Sequence, residues 1–293
     1  MNVISAAEVE RYRETGWLVV PDVVDGATLA RVHVIVDGLI ERARGVADHN
    51  DVYDLESTHT PEQPRVRRIK KPHLIDPLFW EILGSPKLAD IQRQLLGTPD
   101  VRLHGSKLNM KSPQYGSPVE WHQDWAFYPH TNDDLLAIGL FLDDIDEDNG
   151  PLLVMPGTHR EPRVWDHHAD GRFCGAIDPA QAGLDFSRAE AALGRAGSCS
   201  FHHVRLVHGS AQNTSSRRRR LMLYESGAAD AWPLVNWTNI DEFDSRMICG
   251  APTLEPRLAN VPVRMPYPPA LAQGSIYENQ SALENRFFRV TAT

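Results

Sequence analysis

Cysteine is scarce. Three in 293 residues, Cys174, Cys199 and Cys249, are odd in number and far apart. That spacing makes neither a disulfide framework nor a zinc motif, and a reducing, cytoplasmic setting is the simplest expectation. Long apolar runs are missing; none approaches membrane-spanning length. The opening residues Met1-Asn2-Val3-Ile4-Ser5-Ala6 lack the basic region and apolar core of a secretory signal. Basic charge is in deficit, with 30 Lys and Arg against 39 Asp and Glu and a net charge of -9. A general nucleic-acid-binding role is therefore disfavoured. What remains is the composition of a soluble globular protein, 42% hydrophobic and 24% charged, long enough for one large domain or two small ones.

Ser5 followed by Glu8 has the form of a capping box, predicting a short helix to about residue 15. Trp17-Leu18-Val19-Val20 reads as a strand. Asp25 opens an amphipathic helix to residue 43, with Leu29, Val32, Val36, Leu39 and Ile40 at helical spacing. Residues 45–65 are polar and read as a loop. Arg65, Arg67, Arg68, Lys70 and Lys71 form a basic run, either a solvated edge or an anion contact at a pocket mouth. Residues 79–96 look helical. From residue 101 the texture turns to β, with strands expected at 101–110, 119–124, 135–142, 151–155, 198–207 and 218–226. The acidic turn 143–148 lacks the glycine placement and terminal glutamate of a calcium loop and reads as solvated. These elements predict a mainly β protein with N-terminal helices (α+β) around a jelly-roll, cupin-like double-stranded β-helix. The expected layout is one domain over 1–293: a helical region to about 98, a core at about 101–228 and an extension at about 229–293.

The stretch that carries chemistry is Trp121-His122-Gln123-Asp124-Trp125. In a strand, residues i and i+2 share a face, so His122 and Asp124 present an imidazole and a carboxylate together. That is two thirds of the 2-His-1-carboxylate arrangement that leaves positions open on non-heme Fe(II). Spacing alone is weak evidence, because His49/Asp51 and His168/Asp170 repeat it. Those two lie in loop-like composition; only His122/Asp124 precedes a long apolar strand and then a histidine in strand context. His208 is the candidate second histidine, with His202 and His203 as competitors. His202 would share a face with His208 if 198–208 were one strand. The Gly209-Ser210 that follows suggests a turn placing His208 at a strand end.

Three segments together resemble the phytanoyl-CoA dioxygenase family of Fe(II)/2-oxoglutarate oxygenases. They are His122-Gln123-Asp124 with Phe127-Tyr128-Pro129; Asp148-Asn149-Gly150-Pro151 running on to Met155-Pro156-Gly157-Thr158-His159; and His208-Gly209-Ser210-Ala211-Gln212-Asn213 with arginines about ten residues on. The likeness spans roughly residues 5–226. It implies that His122, Asp124 and His208 ligate Fe(II), and that 2-oxoglutarate and O2 are co-substrates. It further implies an arginine clamp for the far carboxylate of 2-oxoglutarate at Arg219, with Arg217 two residues out of register as the rival. Guanidinium suits the role, since it binds carboxylate bidentately and keeps its charge when buried. Ser210 matches the family position that bonds the same carboxylate, and Lys107 lies near one that contacts the co-substrate. The implied reaction is hydroxylation of a small molecule with release of succinate and CO2. Asp124 argues against halogenation, for which related enzymes put a small residue there.

Desaturation, cyclisation or epimerisation would use the same centre. A jelly-roll binding protein without turnover and a metal-dependent isomerase or hydrolase stay open as different classes. Trp125, Phe127, Tyr128 and His130 are candidates for the pocket wall, and Trp165, Trp232 and Trp237 for lids. No nucleic-acid or membrane partner is expected, and the sequence does not indicate an oligomeric state.

Overall fold

The computed structural model describes residues 2–114, 116–237, 239–270 and 275–290. The N-terminal region begins as its caps direct. Ser5 and Glu8 close the capping box of α1 (Ala6–Thr15), and Gly16 ends it at φ 82. Strand β1 (Trp17–Val20) follows, then α2 (Gly26–Arg42), capped by Asp25 and burying Leu29, Val32, Val36 and Leu39. The polar stretch expected as loop holds a three-residue strand, β2 (Tyr53–Leu55), paired with β3 (Val66–Lys70). So short a strand among polar residues leaves no periodic signal. The helix expected over 79–96 is two: α3 (Pro77–Leu83) and α4 (Pro86–Leu96). Ser85 caps the second and Pro86 opens it, a restart signal in plain sight.

The strands that follow are β4 (Val101–Lys111), β5 (Val119–His122), β6 (Leu135–Phe141), β7 (Leu152–Val154), a small hairpin β8 (His168–Ala169) and β9 (Arg172–Phe173), β10 (Glu190–Ala192), β11 (Cys199–His203), β12 (His208–Ser210) and β13 (Arg219–Ala228). After them come α5 (Ile240–Asp244), β14 (Met247–Cys249) and α6 (Ile276–Gln280). The large sheet runs β1-β11-β6-β13-β4-β3-β2, with β14 also on β4; the small sheet runs β10-β7-β12-β5. The N-terminal region thus adds three strands to the large sheet besides its helices.

Alternation along β13 and β4 sorts the two faces. Met222, Tyr224, Leu108 and Met110 point outward and join the core formed with α1 to α4. Leu221 and Leu223 point inward and pack with Val154 and Ala192 of the small sheet. The site lies between the sheets, on the inner face. Among the described residues no helix is long and apolar enough to cross a membrane.

The segment expected as one strand over 198–207, closing on His208, is two strands in different sheets. β11 belongs to the large sheet and β12 to the small one. The turn comes before His208, not after it. Val204, Leu206 and Val207 are all buried, so the hydrophobic pattern runs on through the bend. What fixes the bend is polar: Arg205 donates to Asp133 Oδ2 at 3.0 Å and to the Glu161 carbonyl.

Phe201 is fully buried in the layer between the large sheet and the helices. Phe201→Ala is expected to cost roughly 3–5 kcal/mol, read as a lower urea midpoint with an unchanged denaturant slope.

Candidate active site

β12 lies beside β5 with His208 directly opposite His122. Cross-strand neighbours have their Cβ atoms within reach of one another, and the two imidazole centroids are 4.1 Å apart. Each ring is held from behind. His122 Nδ1 is 2.8 Å from the Glu120 carbonyl, and His208 Nδ1 is 2.9 Å from the Leu206 carbonyl. A carbonyl can only accept, so Nδ1 carries the proton in both rings and Nε2 presents its lone pair.

β5 ends at His122, but Gln123 stays extended at φ -117 and ψ 129 before Asp124 opens a short 3-10 turn. The shared face expected of a strand therefore survives past its end. Asp124 Oδ1 lies 3.9 Å from His122 Nε2, and Oδ2 lies 3.9 Å from His208 Nε2. The three donor atoms are mutually within 4.8 Å and all three residues are buried. Burial pulls the His122 pKa down to about 4 and lowers that of His208, so both rings are neutral at pH 7. Burial opposes ionisation of Asp124, yet the Lys107 ammonium and the neighbouring imidazoles hold its carboxyl well below the usual range. Two neutral imidazoles and a carboxylate form the donor set of a non-heme iron centre.

The four arginines have four different environments. Arg217 is exposed and pairs with Asp146 and Asp148; Arg218 pairs with Asp37. Arg220 points outward and is buried against Asp143 and Asp37. Only Arg219 faces the inner cavity, 3% exposed. It donates to the Gly150 carbonyl from Nε at 3.1 Å and from Nη2 at 2.7 Å, and to Ser210 Oγ at 3.3 Å. The acidic turn read as solvated is thus the ion-pair partner of Arg217 and Arg220. Gly150 sits at φ +78, and a Cβ there would meet the Ala211 carbonyl and Lys111 Cδ, both at 2.8 Å. Burial pulls the Arg219 pKa down to about 10, which leaves it charged at neutral pH. Among the described residues no carboxylate pairs with it. A buried guanidinium beside a hydroxyl, lacking an anion, fits the far carboxylate of a 2-oxo diacid.

Lys107 shares the cavity but not that end. Four residues separate its row on β4 from that of Lys111, which lies opposite Arg219. That is about 13 Å along a strand. Its Nζ is 2.6 Å from Glu225 Oε1. From the basic run, Arg68 reaches the cavity and donates to Asn109 Oδ1, while Arg67 pairs with Glu278. Trp125 and Trp165 are core residues rather than cavity wall or lid. Tyr128 stacks on His104 with centroids 4.4 Å apart, and its phenol faces Asp124. Trp237 lines a separate hollow with His104, His130 and Arg246.

Lys111 and Tyr277 escaped sequence reasoning, and His202 entered it only as a rival of His208. Lys111 alternates with Lys107 and Asn109 on β4, a period-two signal that was available. His202 approaches from the large sheet, its Nε2 3.5 Å from Asp124 Oδ2. Tyr277 arrives on α6, which no periodicity announced.

A jelly-roll sandwich with this donor set at one cross-strand row, and a buried arginine beyond it, defines an iron-type oxygenase. The comparisons agree. The profile of the phytanoyl-CoA dioxygenase (PhyH) family matches residues 12–221. A probable alpha-ketoglutarate-dependent hypophosphite dioxygenase of Stutzerimonas stutzeri is 38% identical over 97% of this chain and 99% of its own. An L-proline trans-4-hydroxylase of Streptomyces griseoviridis is 28% identical over 73% of this chain and 82% of its own. In fold, the structure of EctD from S. alaskensis with bound Fe superposes with a TM-score of 0.66 at 22% identity, covering 88% of this chain and 89% of that one. The chain belongs to the phytanoyl-CoA dioxygenase family and is a 2-oxoglutarate-dependent dioxygenase.

Gln123 holds the segment between the two donors. Its Nε2 donates to the Arg205 carbonyl at 2.6 Å, and its Oε1 accepts from the Trp165 N–H at 3.1 Å. Gln123→Leu strands both buried groups and is expected to cost about 1–3 kcal/mol. Urea unfolding of the metal-free protein would measure it.

Proposed function

We propose that the chain oxidises a small molecule, most simply by hydroxylation, with His122, Asp124 and His208 holding Fe(II) and Arg219 with Ser210 holding the far carboxylate of 2-oxoglutarate. The observation that carries this reading is the cross-strand row of two Nε2-presenting imidazoles over Asp124, with an anion-free buried guanidinium in the same cavity. When bound, the iron and its 2-oxo acid use O2 to insert one oxygen into substrate and the other into succinate, releasing CO2. The protein's part is orientation and exclusion of water. The Glu120 and Leu206 carbonyls fix which nitrogen each histidine presents. Arg219 sets the co-substrate's direction, and Lys111 adds a second nitrogen at that end, held by the Ser210 and Ala211 carbonyls. Apolar Val119, Leu152, Leu221 and Leu223 dry the walls between.

The helices, the sandwich and the C-terminal segment work as one oxygenase domain, since Arg68, Arg219 and Tyr277 line the same cavity. The three unpaired cysteines suit a reducing cytoplasm. Likeness to the hypophosphite dioxygenase along nearly its whole length makes a small oxyanion the first substrate class to try.

The test is spectroscopic. Anaerobic protein loaded with Fe(II) and 2-oxoglutarate should show the weak visible charge-transfer band of the chelate. His208→Ala should lose it. Arg219→Met should keep metal binding but need roughly tenfold to hundredfold more 2-oxoglutarate. No band in iron-loaded wild type would overturn the oxygenase reading in favour of a binding protein or isomerase. Unchanged co-substrate affinity in Arg219→Met would move the clamp elsewhere.

A further inference from the structure

The inner face of the large sheet carries a second recognition feature beside the metal centre. Ala137 on β6 lies opposite His202 on β11 and, on its other side, opposite Glu225 on β13. Strands in a sheet are about 4.8 Å apart, so His202 and Glu225 stand roughly 10 Å apart with one methyl group between them. All three residues, with Lys107 and Asp124, line the same cavity. Two polar walls over a small floor make a niche that opens toward Asp124.

His202 gives the niche its meaning. It is 1% exposed, yet among the described residues neither ring nitrogen has a hydrogen-bond partner. Its Nε2 is 3.5 Å from Asp124 Oδ2, a charge contact rather than a hydrogen bond. Its ring lies 4.4 Å from that of His208, but it is not one of the three grouped metal donors. Buried polar atoms are nearly always partnered, and an unpartnered pair at a cavity wall calls for a ligand. Across the niche, Glu225 is occupied by Lys107 at 2.6 Å, which leaves further ammonium protons of Lys107 to donate. The facing groups are thus an ammonium and an imidazole; among the described residues the carboxylates here are Glu225, paired with Lys107, and Asp124 of the donor set at the open side.

We propose that the Ala137 niche seats the substrate, a small oxyanion whose oxygens accept from Lys107 Nζ and from the His202 imidazole, so that its oxidisable centre faces the site of His122, Asp124 and His208. The inference rests on the oxygenase reading for its chemistry but not for its binding. Ala137 sets the size limit, His202 and Lys107 set the charge preference, and Glu225 positions Lys107. A phosphorus oxyanion and a short carboxylate share the required chemistry, and separate arms distinguish them.

The experiment is anaerobic titration calorimetry of the Fe(II)- and 2-oxoglutarate-loaded protein with hypophosphite, with propionate and with uncharged propionamide. The charge-transfer band of each sample serves as the control for a folded, loaded site. Wild type should bind one or both anions and not the amide. Ala137→Leu fills the niche and should abolish anion binding while the band persists. His202→Phe and Lys107→Met should each weaken it roughly tenfold to hundredfold. Anion affinity unchanged in Ala137→Leu, or preference for the amide, would overturn the seat. If wild type lacks the band, the oxygenase reading fails, but anion binding that Ala137→Leu removes would still establish the niche.

Discussion

The antiparallel pairing of β5 with β12 is the constraint on which the rest of the site depends. Only the register that puts His208 opposite His122 brings two imidazoles from residues 86 positions apart onto one face. A one-residue slip would turn one of them to the other face. The register is secured from several directions. β12 is also paired with β7, His208 opposite Val154 and Ser210 opposite Leu152. The next carbonyl upstream of β7 that matters is that of Gly150, which accepts from both Arg219 and Ser210. The three grouped donors, Ser210 and the carbonyl that holds Arg219 are therefore set by one three-strand registration.

Electrostatically the cavity holds opposite demands at close quarters. Burial drives His122 and His208 toward neutrality and opposes the charge on Asp124, while Lys107 and the neighbouring imidazoles restore that charge. Lys107 in turn keeps its proton because Glu225 and Asp124 together outweigh the cost of its burial. Arg219 stands at the far end without such a partner among the described residues. Near Asp124 the charges are matched by ion pairs, whereas the Arg219 end carries a buried guanidinium that no carboxylate among the described residues contacts.

Much of this was readable in the chain. His122, Asp124 and His208 are grouped in space, and Arg219 rather than Arg217 faces inward, because β13 starts at Arg219 and alternation does the rest. The capped helices and the apolar strand β6 also announced themselves. Other features had no local cause to read. β2 is a strand only because β3 pairs with it. The bend between β11 and β12 is imposed by Arg205 meeting Asp133, 72 residues away. That bend is also why His202 hid: read as one strand, it looked like a rival of His208, whereas it reaches the same centre from the opposite sheet. Pocket walls drawn from different sheets leave no common periodicity.

Gly209 carries a further consequence. A Cβ there would meet the Phe288 ring at 2.9 Å, and the backbone N–H groups of Phe287 and Phe288 both donate to Glu120 Oε2. The segment that carries Ile276 and Tyr277 into the cavity is thus buttoned onto the backs of both donor strands. During synthesis every other lining residue emerges before these two. A nascent chain has His122, Asp124, His208 and Arg219 before this wall is made. Ile276 and Tyr277 are thus the last-made part of the enclosure, the wall that turns a cleft between two sheets into a chamber.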